Sequence, residues 1–124
     1  MIFGLTRTAS YLITGCSRGL GLALIAHLLT FPTSEVGAIL ATSRNESPAI
    51  KSLVSSSEGR VVFIQLDTTD EASIKNAVVE SGKILGEKGL DVLINNAGIQ
   101  CFAPDGIASM YCVFTIYFRR RTNN

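Results

Sequence analysis

The chain has 124 residues, 47% hydrophobic and 17% charged, which allows one domain rather than two and excludes a disordered polar tail. Lys plus Arg total 11 against 10 for Asp plus Glu, so the net charge of +1 gives no electrostatic reason to expect nucleic acid as a partner. Three cysteines (Cys16, Cys101, Cys112) and one histidine (His27), with no C-x-x-C, argue against a disulfide framework or a metal site and point to a reduced, cytoplasmic setting.

The apolar segments alternate in kind along the chain. Met1 to Ser10 lacks the apolar block of a secretory signal. Tyr11-Leu12-Ile13 reads as a short buried strand ending at Thr14-Gly15. Leu20 to Thr30 places Leu20, Leu24, Ile25 and Leu28 at helical spacing, and Pro32 closes that helix. Gly37 to Thr42 is a second buried strand. Ser47 to Ser57 is weakly helical, with Ser55-Ser56-Ser57 read as loop. Val61 to Leu66 is a third strand. Thr68 and Glu71 have the spacing of a capping box opening a helix, whose apolar stripe is Ile74, Ala77, Val78, Ile84 and Leu85. Leu90 to Ile94 is a fourth strand. No apolar run is long enough to span a bilayer, so no membrane partner is expected.

Strands that are continuously apolar are buried on both faces, which implies a parallel sheet with helices on each side. Right-handed crossovers in a doubly wound, Rossmann-type α/β fold place the four strands in the order 3-2-1-4. The glycines of Thr14-Gly15-Cys16-Ser17-Arg18-Gly19-Leu20-Gly21 lie between the first strand and the first helix. Gly15 allows the tight turn, Gly19 leaves room for a pyrophosphate, and Gly21 lets the helix pack closely on the sheet. The helix N-terminus then offers free N–H groups to the phosphates.

The pattern Thr-Gly-x-x-x-Gly-x-Gly, followed by Asp67 after the third strand and Asn95-Asn96-Ala97-Gly98 after the fourth, resembles the short-chain dehydrogenases/reductases over Tyr11 to Ile99. LITGCSRGLG is also similar to the small cytosolic carbonyl reductases related to bacterial C-factor proteins. The resemblance implies a dinucleotide cofactor held by Gly15, Ser17, Arg18, Gly19, Leu20 and Gly21, with the adenine near Asp67 and Thr68. Asn95, Asn96, Ala97 and Gly98 would floor the nicotinamide-side ribose. A carboxylate at the end of the second strand marks NAD sites, yet Ser43 and Arg44 stand there. With Arg18 as a second cation, NADP(H) is preferred over NAD(H). Cys16 reads as a filler position in the turn, although a helix N-terminus lowers a thiol's pKa and would make it reactive. His27 reads as a surface or boundary residue.

The resemblance also implies hydride transfer to or from a carbonyl or alcohol carbon, with catalytic Ser, Tyr and Lys beyond the Asn-Asn-Ala-Gly motif. No catalytic residue is assigned. Tyr111 is followed four positions on by Thr115, and Tyr117 by Arg121, where a lysine is required. The dimer-forming helices of the family are likewise expected to be absent. The reading is an incomplete dinucleotide-binding domain over residues 1–110. It includes a turn at Ala103-Pro104-Asp105-Gly106, and an apolar, then basic tail follows over 111–124, containing Arg119, Arg120 and Arg121. Two alternatives stand beside the oxidoreductase. One is a catalytically dead nucleotide-binding or interaction module that pairs through the edge of its fourth strand. The other is a mis-spliced product, because Ser109-Met110-Tyr111 can be encoded across a splice-donor-like GTATGT.

Overall fold

A computed structural model describes residues 8–98 and the backbone of residues 115–118. Residues 1–7, Ile99, Cys101, Cys112, the turn at 103–106, Tyr111 and the three terminal arginines lie outside the described residues. The elements are β1 (Ala9–Ile13), α1 (Gly19–Leu28), β2 (Val36–Ser43), α2 (Pro48–Ser56), β3 (Val61–Gln65), α3 (Glu71–Leu85), a 3₁₀ turn (Gly86–Lys88), β4 (Val92–Asn95) and β5 (Thr115–Phe118). The sheet order is β3-β2-β1-β4-β5. β1 to β4 are parallel, in the order that the alternating pattern predicts.

β5 runs antiparallel to β4, with Val92 opposite Phe118 and Asn95 opposite Thr115. The β4 edge that the interaction-module alternative would use is therefore paired within the chain.

Two cores follow from the two-residue period of a strand. Ile13, Ile39, Ala41, Val61, Val92 and Ile94 face α1 and α2, where they meet Ile25 and Ile50. Leu12, Leu40, Ile64 and Leu66 face the other way, against Ala77 of α3. Register keeps these sets aligned: Leu12 lies opposite Leu40 on one side and Leu93 on the other.

The Ser-rich stretch is a helix despite its modest propensity. Ser47 caps it through a bond from Ile50 N (3.2 Å), Pro48 occupies its first turn, and Ile50 is fully buried with Leu53 and Val54 packed beside it. Ser55 and Ser56 belong to that helix and Ser57 ends it, so the loop reading of this triplet is corrected.

α1 ends at Leu28, two residues before the predicted Thr30. Arg60 caps this end, its guanidinium donating to the carbonyls of Leu28, Leu29, Phe31 and Val36.

α3 departs from its sequence pattern twice. Its cap is Asp70, which accepts from Ala72 N (3.1 Å), and no Thr68–Glu71 box forms because Thr69 turns back onto Asp67 and delays the helix. Of the predicted stripe, Ala77 is buried and Leu85 packs on the second core. Ile74, Val78 and Ile84 remain 40%, 67% and 40% exposed, because the face in contact with the sheet carries the small residues Ala77 and Ser81.

Candidate functional site

The predicted site residues converge at the C-terminal ends of the parallel strands. The chain leaves β1 towards one face and returns to β4 from the other, so a crevice opens between these strands, where ligands of doubly wound sheets bind.

Thr14 holds this crevice together. Its N–H donates to Ile94 O (3.1 Å), and its Oγ1 accepts from Asn96 N (3.0 Å) and Ala97 N (2.9 Å). Asn96 answers through Nδ2, which donates to Thr14 O and Gly15 O, each at 3.2 Å. The glycine turn and the exit of β4 are thus one hydrogen-bonded unit.

The three glycines have different causes. Gly15 sits at φ +69, and a Cβ there would lie 2.8 Å from Ala97 Cα. At Gly21 a Cβ would fall 2.3 Å from Gly15 O, so only glycine lets α1 lie against the turn. At Gly19 (φ +62) a Cβ would meet nothing within 4 Å: here the backbone borders open space. Next to it, α1 starts from the extended residue Arg18 with no side-chain cap and no acid in its first turn. Its first N–H groups therefore have no side-chain acceptor and favour an anion. Leu20, in that first turn, is 58% exposed.

At the next strand end, Ser43 is buried; its Oγ donates to Asn45 O (2.6 Å) and its carbonyl accepts from Leu66 N (2.9 Å). Arg44 follows, exposed. Across from it, Asp67 Oδ1 accepts from Thr69 Oγ1 (2.6 Å) and Thr69 N (2.9 Å). Those two bonds, with the charge of Arg44 as a smaller contribution, hold the Asp67 carboxyl below its usual range. The hydroxyl that meets Asp67 is that of Thr69, while Thr68 beside it is exposed. Among the described residues, the side chains of Arg18 and Arg44 make no hydrogen bond or salt bridge. Asn95 and Ala97 are half-buried along the crevice and Gly98 is exposed.

Cys16 is no reactive filler. It is fully buried, its Sγ donates to Ile13 O (3.0 Å), and burial pushes the thiol up to about 12. The side chain turns into the core, away from the helix end that would have acidified it. His27 is exposed and meets Phe31 edge-to-face at 5.4 Å.

Thr14, Ser47 and Thr69 complete the site without having been singled out as site residues by the motifs. Ser47 opens the weakly helical stretch read from the sequence, and its bond to Ser17 O (3.0 Å) joins segments far apart in sequence.

The short chain dehydrogenase family profile matches residues 9–111. The chain belongs to that family. It is similar to norsolorinic acid ketoreductase of Aspergillus parasiticus, 36% identical over 72% of this chain and 33% of that protein. It is also similar to (-)-isopiperitenone reductase of Mentha piperita, 35% identical over 81% of this chain and 32% of that protein. Among solved structures, the NADPH-bound carbonyl reductase from chicken fatty liver superposes with a TM-score of 0.68 at 36% identity, covering 81% of this chain and 38% of that one. The carbonyl reductase Sniffer of D. melanogaster gives 0.67 at 31% identity, covering 85% and 42%. The chain spans about a third of the length of the curated relatives named here. No described helix is long and apolar enough to cross a membrane.

Proposed function

We propose that this chain grips NADP(H) across the C-terminal ends of β1 to β4, as the cofactor-binding part of an oxidoreductase acting on carbonyl or alcohol groups. The observation that carries the reading is the exit of β2, where an exposed Arg44 follows Ser43 in place of the carboxylate of NAD sites. The residues fit the group. Gly19 leaves open backbone and the first turn of α1, with Leu20 and Gly21, leaves uncapped N–H groups for the pyrophosphate, while Gly15 and Ser17 shape the turn that leads to them. Arg18 and Arg44 supply cations for a 2′-phosphate, and Asp67 with Thr68 borders the adenine side. Asn95, Asn96, Ala97 and Gly98 form a thin wall for the second ribose. The carbonyl reductase neighbour named as NADPH-bound supports this choice of cofactor. A cytosolic location belongs to the same reading, supported by the free thiol of Cys16.

When bound, the cofactor would supply hydride. Within the 124 residues no Tyr is followed four positions later by Lys, so the chain as it stands is expected to bind without turnover.

The test is a thermal-shift titration of the whole chain with NADPH and NADH, alongside an assay of NADPH oxidation with a panel of aldehydes and ketones. The expected result is a larger stabilisation by NADPH and no carbonyl-dependent oxidation. A larger shift with NADH overturns the cofactor reading, and robust oxidation overturns the claim that the catalyst is missing.

A further inference from the structure

We infer that Ser47 is a positioning residue that sets the preference for a 2′-phosphorylated cofactor, by tying together the two segments that carry Arg18 and Arg44. The inference rests on the cofactor reading above and adds to it the device that aligns its cations.

Arg18 lies in the glycine turn and Arg44 in the connection between β2 and α2. Both are exposed, and neither is anchored through its own side chain among the described residues. Their relative position therefore depends on their backbones. At the base, the two segments are joined by Cys16 N donating to Thr42 O (3.0 Å), a main-chain bond within the buried sheet end. At the tip, Ser47 Oγ donates to Ser17 O (3.0 Å), the carbonyl just before Arg18. This is the one side-chain hydrogen bond among the described residues between the glycine turn and the β2–α2 connection.

The same Oγ accepts from Ile50 N and caps α2. One hydroxyl thus fixes where α2 begins and how far the glycine turn stands from it. Arg44 precedes Ser47 by three residues, so pinning Ser47 pins the short chain that displays the guanidinium.

Removing the hydroxyl frees the tip and uncaps α2, but leaves the base in place. The main-chain bond at the base stays, as do the Thr14 and Asn96 bonds that shape the pyrophosphate turn. The loss then falls on the interaction that needs both arginines at once, because in the variant the ligand must order segments that the tether orders in the wild-type chain. NADH has no 2′-phosphate and is spared.

The experiment measures dissociation constants of NADPH and NADH by calorimetry for the wild-type chain and for Ser47→Ala, Ser47→Gly and Ser47→Thr. Glycine is tolerated as a helix cap but cannot donate, so Ser47→Gly separates the tether from the cap if Ser47→Ala is poorly folded. The loss of one hydrogen bond of ordinary strength corresponds to about two- to tenfold weaker NADPH binding in Ser47→Ala and Ser47→Gly. NADH affinity should change less than NADPH affinity, and Ser47→Thr should restore the wild-type ratio. Equal losses for both cofactors, or an unchanged NADPH-to-NADH ratio, overturn the inference while leaving the cofactor reading intact. A wild-type chain that prefers NADH refutes the cofactor reading and the inference with it.

Discussion

Replacing Gly21 and Gly19 separately by alanine should divide folding from binding. At Gly21 the new methyl would lie 2.3 Å from Gly15 O, 2.8 Å from Asn96 Nδ2 and 2.9 Å from Gly15 C. Ordinary contacts are about 3.5–4.0 Å, so the overlap with Gly15 O exceeds about 1 Å. Relief requires moving α1 off the turn or breaking the Asn96-to-Gly15 bond. Overpacking of this kind costs about 1–3 kcal/mol, and this site belongs at the upper end because backbone must give. The gain in helix propensity from Gly to Ala returns about 1 kcal/mol, leaving a net loss of about 2 kcal/mol. At Gly19 nothing lies within 4 Å, so alanine meets only the strain of its left-handed backbone, about 1 kcal/mol. Its methyl would, however, stand in the space proposed for the pyrophosphate. Urea unfolding without ligand and NADPH titration give the two readouts. Gly21→Ala should lose stability, and Gly19→Ala should stay close to wild type in folding while losing most NADPH affinity. A Gly21→Ala chain as stable as wild type would refute the packing argument. Undiminished NADPH binding by Gly19→Ala would show that the phosphates lie elsewhere.

Thr14→Val keeps the shape but leaves the N–H groups of Asn96 and Ala97 without their acceptor, so urea unfolding should show a loss of about 2–4 kcal/mol that Thr14→Ser largely avoids. Arg44→Asp should weaken NADPH binding by about ten- to hundredfold and invert the preference towards NADH, as read by calorimetry; a retained NADPH preference would remove Arg44 from the site. For Cys16, the folded thiol titrates at about 12 against an ordinary 9.0, so the unfolded chain ionises first. Its contribution is intact below pH 9.0 and declines by about 1.4 kcal/mol per unit as pH rises towards 12; comparing unfolding of wild type and Cys16→Ala across that range isolates it, and parallel pH curves would count against burial of the thiol.

The parallel sheet is legible in sequence because each strand is apolar on consecutive positions and each glycine or polar break falls between a strand and a helix. Strand order follows from the handedness of crossovers, and β3-β2-β1-β4 is what forms. The glycine turn is legible too, since a backbone that needs positive φ at Gly15 and Gly19 restricts the residue type. Helix starts are less so. Thr68 with Glu71 and Asp70 alone are both acceptable caps on paper, and the choice is made by Thr69 bonding back to Asp67. Nor does a helical stripe state which part of it meets the sheet: Ala77 does, while Val78 beside it remains exposed. The antiparallel β5 is set by pairing between Val92–Asn95 and Thr115–Phe118, which no local pattern specifies. The Ser47 and Thr14 bonds are hidden for the same reason, being contacts between segments about 30 and 80 positions apart.

The position of the bound dinucleotide on the sheet is the central claim. Backbone amide chemical-shift mapping of the isotopically labelled chain with NADPH is the decisive measurement. The predicted result is a set of shifts confined to the ends of the parallel strands: Gly15 to Gly21, Ser43 and Arg44, Asp67 and Thr68, and Asn95 to Gly98. Shifts centred elsewhere, or none at saturating NADPH, would contradict it.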